Sequence, residues 1–147
     1  MSGIVCAIRG GAASQPTIEQ AIVAAKKTAL PLYFLYLVNV NFLMRTAQTR
    51  VQVITQQLEE MGEFILLAAQ SQAQQQGVTA HDVIRHGDVS EQIIAVCQEL
   101  TADYVVLGRP LKARAENVFT HDQLQTFGKH IAEETGAKII FEAGDIT

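Results

Sequence analysis

A chain of 147 residues has room for one domain with a sizeable core and not for two comfortable ones. With 48% of its residues hydrophobic and 18% charged, it has the composition of an ordinary globular protein, which excludes disorder for the body of the chain. A formal net charge of -4 gives no overall electrostatic reason to bind nucleic acid or an anionic membrane.

The opening Met-Ser-Gly carries no basic n-region, and Arg9 and Gly10 cut short the apolar run Ile4–Ile8, so no secretory signal is expected. No stretch approaches the roughly 18–20 apolar residues of a spanning helix. A cytoplasmic protein is the expectation. Cys6 and Cys97 both fall inside apolar runs and read as reduced core residues.

Along the chain, Ile4–Ile8 is a continuous apolar run closed by Arg9-Gly10-Gly11, the pattern of a strand buried on both faces. Gln15–Ala29 sets Ile18, Ala21, Ile22 and Ala25 at helical spacing, with Ser14 as N-cap and Pro16 in the first turn. Pro31 ends that helix, and Leu32–Val40 is a second apolar strand. Thr46–Gln76 predicts a long helix whose apolar stripe runs Val51, Ile54, Leu58, Met61, Ile65, Ala68. Within it Gly62 marks a bend or a close approach, and Gly77 caps the end.

Val78–Arg85 is a half-polar third strand, expected near a sheet edge. Gly87 turns the chain. Asp88, with Glu91 three residues later, opens the helix Val89–Leu100, whose Ile93, Ile94, Val96, Cys97 and Leu100 face inward. Tyr104–Leu107 is the fourth strand, ended by Gly108-Arg109-Pro110. Thr120 and Gln123 repeat the capping pattern before a helix carrying Leu124, Phe127 and Ile131, which Gly136 closes. Lys138–Glu142 is the last strand.

Strand–helix alternation at this spacing predicts an α/β domain: a five-stranded parallel sheet with right-handed crossovers and helices on both faces. The Rossmann-like order 3-2-1-4-5 puts a topological switch point between strands one and four, and ligands of such sheets lie outside the carboxyl ends of the strands there. The loops Arg9–Ser14 and Gly108–Thr120 border that point.

Two segments resemble a known family. Val83-Ile84-Arg85-His86-Gly87-Asp88-Val89-Ser90-Glu91-Gln92-Ile93-Ile94 is similar to the middle signature of the universal stress proteins, and Ala102-Asp103-Tyr104-Val105-Val106-Leu107-Gly108-Arg109 to their "acidic residue, strand, Gly" signature. The resemblance covers almost the whole chain, including a second strand ending near Val38. It implies a single-domain, adenine nucleotide alpha hydrolase-like fold, a dimer through the last strand, and, in many members, bound ATP or AMP. Nucleotide-binding members carry Gly-x-x-Gly, nine residues, then Gly-Ser or Gly-Thr after the fourth strand. Here only Gly108 of that pattern is present: Leu111 stands at the second glycine and His121-Asp122 at the final pair, while Arg9 replaces the acidic residue after the first strand.

Physical chemistry points the same way. A phosphate cradle needs glycines that let backbone amides approach the oxygens, and a free helix N-terminus. Leu111 fills such a turn, Pro110 removes a donor, and Asp122 in the first turn of the next helix repels phosphate. The expectation is no tight ATP site.

The cations Arg9, Arg109, Lys112 and Arg114 read either as a pocket for a small anionic ligand held by side chains, or as rim ion pairs with Asp88, Glu116 or Asp122. The candidate ligand residues are therefore Arg9, Gly10, Gly11, Ser14, Val38, Gly87, Asp88, Gly108, Arg109, Lys112, Arg114 and His121. The histidines do not have metal-site spacing: His81 and His86 point to opposite faces of one strand, and His121 and His130 lie nine apart. No catalytic residue is identified. The sequence favours a non-catalytic regulatory homodimer paired through Lys138, Ile139, Ile140, Phe141 and Glu142; the alternative is a nucleotide-using enzyme built on Gly10-Gly11.

Overall fold

A computed structural model of the chain describes residues 3–8, 15–38, 48–107 and 121–141, and only the backbone of residues 48, 49, 89, 121–125 and 141. Its elements are β1 (Ile4–Ile8), α1 (Gln15–Thr28), β2 (Leu32–Val38), α2 (Gln48–Gln75), β3 (Ala80–His86), α3 (Val89–Leu100), β4 (Tyr104–Leu107), α4 (His121–Thr135) and β5 (Lys138–Phe141). They build one five-stranded sheet in the order β3-β2-β1-β4-β5. Every pairing is parallel, with Ile4 opposite both Leu32 and Tyr104, and Tyr104 opposite Lys138.

The pleat explains why the central strands are apolar throughout. Ile4, Cys6 and Ile8 of β1 point to a cluster with Leu32, Phe34, Tyr36 and Val38 of β2, covered by α1 and α2. Val5, Leu35, Val105 and Leu107 point the other way, onto Ile93, Val96 and Cys97 of α3 and Phe127 and Ile131 of α4. Strands β3 and β5 are the edges. The half-polar composition of β3 fits its place, where Arg85 forms an exposed 2.7 Å ion pair with Glu99 of α3.

Asp103, the acidic residue before β4, is a structural tie. Its carboxylate accepts the Gly3 amide at 3.2 Å, and its own amide donates to the Gly3 carbonyl at 2.7 Å. Its carbonyl accepts from the Lys138 amide, so one residue fastens the amino ends of β1, β4 and β5.

Several expectations shift. Helix α1 ends at Thr28 because Ala29 turns left-handed, at φ 58°. Strand β3 starts at Ala80, not Val78, because Gly77 and Val78 finish the preceding helix: at φ +79° Gly77 donates to Gln74, and Val78 to Ala73. It also runs one residue further, to His86. Gln76 likewise falls in the turn beyond α2. Residues 39–40, 46–47 and 142, included in the expected elements, lie outside the described residues.

The larger correction concerns α2. Met61 and Ala68 of the expected stripe are exposed, Leu58 and Ile65 of it pack inward, and the rest of the inward face is Gly62, Leu66, Ala69 and Ala73. The stripe is turned because Gly62 lets the helix settle on the ring of Tyr36: a Cβ at that position would sit 2.4 Å from Tyr36 Cδ2.

Candidate functional site

The strand order puts the switch point between β1 and β4, since β1 connects to β2 on one side and pairs with β4 on the other. Ile8 and Leu107 are the last described residues of these strands, and both are buried. Their side chains go to opposite faces of the sheet, Ile8 toward α1 and α2 and Leu107 toward α3 and α4. Arg9, Gly10, Gly11 and Ser14, and Gly108, Arg109, Lys112 and Arg114, lie outside the described residues. His121 is the first residue of α4 and is described by its backbone alone.

Helix α1 follows the first loop, and its first turn holds no acidic side chain, so nothing there opposes an anion at the positive end of the helix. Thr17 in that turn is buried, and its carbonyl accepts a weak 3.8 Å hydrogen bond from the Cys6 thiol on β1. Burial pushes the Cys6 thiol far up from its ordinary value and the Cys97 thiol up to about 12. Neither thiol is a nucleophile at neutral pH.

The structure brings Val38, Gly87 and Asp88 together beside the ends of β2 and β3. Gly87 at φ +127° donates its amide to the Val38 carbonyl at 3.1 Å. Its backbone is one that side-chain-bearing residues rarely adopt. Asp88 is the N-cap of α3: one carboxylate oxygen accepts from the Glu91 amide and from the Ser90 hydroxyl, each at 3.2 Å. That work is structural, so Asp88 has one oxygen already committed to the helix.

The histidines separate as their spacing requires. His81 stacks on Tyr33, centroids 5.1 Å apart, whereas His86 meets Glu59 of α2 at 2.6 Å across the other face. Among the described residues no group of three His, Cys, Asp or Glu side chains could hold a metal ion. No helix among them is long and apolar enough to cross a membrane.

A groove of about 560 Å³ opens at the opposite end of the sheet, where the chain enters β2 and β3; Lys26, Pro31, Thr79 and His81 are among its walls. It is therefore not part of the switch-point site. Sequence reasoning did not anticipate the Glu59–His86 contact, which the residue before Gly87 and the acidic pair at 59–60 could have signalled.

Residues 1–121 match the family model of the universal stress protein family. A universal stress protein of Methanocaldococcus jannaschii is 27% identical over 116 residues, which span 78% of this chain and 68% of that protein. The structure of the universal stress protein UspA from Lactobacillus plantarum is similar with a TM-score of 0.75 at 14% identity, over 97% of each chain. A universal stress protein from Archaeoglobus fulgidus, solved in complex with dAMP, is similar with a TM-score of 0.64 at 14% identity, over 97% of this chain and 98% of that one. At such identities the two structural likenesses establish the fold.

Proposed function

The chain belongs to the universal stress protein family, and from that premise we propose that it is a non-catalytic regulatory protein of the cytoplasmic stress response, a homodimer that takes a small anion weakly at the β1–β4 switch point. The observation that carries the reading is the sequence after β4: Gly108 is present, but Leu111 and His121-Asp122 stand where a phosphate cradle needs glycines and free amides. In this reading guanidinium groups take the place of that cradle. Arg9 and Arg109 follow neighbouring strands, and a forked guanidinium suits phosphate, sulfate or a nucleoside monophosphate such as the one the Archaeoglobus relative holds.

Calorimetry with AMP and with Mg-ATP tests this. Weak monophosphate binding and no sub-micromolar ATP binding are expected; a sub-micromolar dissociation constant for Mg-ATP overturns the reading. Sulfate or AMP should raise the melting temperature, and Arg9→Ala with Arg109→Ala should abolish the rise. A nucleotide that co-purifies and is turned over on adding magnesium would establish an enzyme instead.

The proposed dimer rests on β5. It is an edge strand, Lys138-Ile139-Ile140-Phe141 holds no proline, and among the described residues no strand pairs with its outer backbone groups. Two-fold pairing with a second copy, extending to Glu142, satisfies those groups. Light scattering at micromolar concentration should give twice the 16.0 kDa monomer mass; a clean monomer rules the dimer out.

A further inference from the structure

We propose that the outer face of α2 is a docking surface for a basic amphipathic helix of a partner protein. Phe64 is 75% exposed, Leu67 60% and Met61 54%, three large apolar side chains within two turns. This face is opposite the one that packs on the sheet, where Gly62, Leu66, Ala69 and Ala73 are buried, so no movement of α2 within the domain could cover both. Scattered exposed apolar residues are ordinary; a contiguous strip of this kind marks an interaction site.

Charge selects the occupant. Arg50, in the first turn, is the one Lys or Arg of α2, and none lies near the strip from residue 51 to Gln75, while Glu60 and Glu63 line one flank of it. Glu60 accepts a 3.3 Å hydrogen bond from Gln56, and neither carboxylate has a cationic partner among the described residues. A helix that lays apolar side chains along Phe64 and points Lys or Arg at that flank matches both features.

A second copy matches worse. Antiparallel two-fold apposition about Phe64 gathers both pairs of carboxylates on one flank, where they repel. An anionic membrane is disfavoured by the same two charges. Since α2 covers β2 and β3 while β5 is the far edge, a dimer on β5 leaves this face free.

The test is fluorescence anisotropy with a labelled, helical Leu/Lys peptide of about fourteen residues and its Leu/Glu counterpart. The Leu/Lys peptide should bind saturably in the micromolar range and the Leu/Glu peptide at least ten times more weakly. Phe64→Asp should weaken the Leu/Lys peptide at least tenfold. That substitution adds a negative charge, so a merely electrostatic attraction would tighten instead. Glu60→Lys with Glu63→Lys should transfer the preference to the Leu/Glu peptide. Circular dichroism verifies that each variant is folded, and Leu67→Gln, a neutral change on the same strip, serves if Phe64→Asp is not. No binding, equal binding of the two peptides, or binding unchanged by both Phe64→Asp and Leu67→Gln overturns the proposal. So does a self-association that Phe64→Asp abolishes, which would make a second copy the occupant.

Discussion

Replacing Gly62 with Ala should destabilise the protein even though it improves the intrinsic helicity of α2. In an unobstructed helix interior the change stabilises by about 1 kcal/mol, because glycine has more backbone freedom to lose. Here the added methyl carbon would lie 2.4 Å from Cδ2, 2.7 Å from Cε2 and 3.1 Å from Cγ of Tyr36. Carbon atoms pack at about 3.5–4.0 Å, so helix and ring must part by roughly 1 Å. Tyr36 is buried on β2 between the helix and the sheet, which leaves the ring little room to rotate away. Overpacking of this kind costs about 1–3 kcal/mol, and the contact with a ring rather than a flexible chain end puts it toward the upper figure. The expected net loss is about 1–2 kcal/mol, read from urea unfolding followed by circular dichroism, at an unchanged slope. In a Tyr36→Ala background the same Gly62→Ala change should become neutral or stabilising, which isolates the contact as the cause. A Gly62→Ala protein more stable than the parent by about 1 kcal/mol would refute the close approach.

Other expectations follow from the described contacts. Asp88→Ala should cost about 1 kcal/mol by leaving the Glu91 amide unpaired at the start of α3, whereas Asp88→Ser should retain most of the stability. Thr101 ends α3 in a left-handed conformation at φ 52°, which a β-branched side chain resists; Thr101→Gly should raise stability by about 0.5–1 kcal/mol in the same unfolding assay. Both thiols should resist a disulfide reagent in the native protein at pH 8 and react at once in denaturant. The same burial sets a pH dependence: unfolded thiols ionise near pH 9 and the folded ones do not, so the unfolded state binds fewer protons there and stability should fall as pH rises through about 9. Asp103→Ala should lower the melting temperature by removing the acceptor of the Gly3 amide, without changing any anion binding at the other end of the sheet.

The elements, their order and the parallel sheet were legible in the residues because each signal is local. A run such as Ile4–Ile8 or Tyr104–Leu107 is apolar throughout only when both its faces are covered, and Gly77 and Asp88 mark helix ends through bonds to residues within five positions. The edge position of β3 was equally legible, since its polar side chains need water on part of the strand. The tertiary structure decided what depends on partners remote in the chain. Spacings of three and four drew a stripe through Met61 and Ala68, yet periodicity alone does not say which side of a helix meets the sheet when apolar residues occur on both. The ring of Tyr36 settles that, because only Gly62 lets α2 come close enough to bury Leu66, Ala69 and Ala73, and the same rotation turns Phe64 and Leu67 out to water.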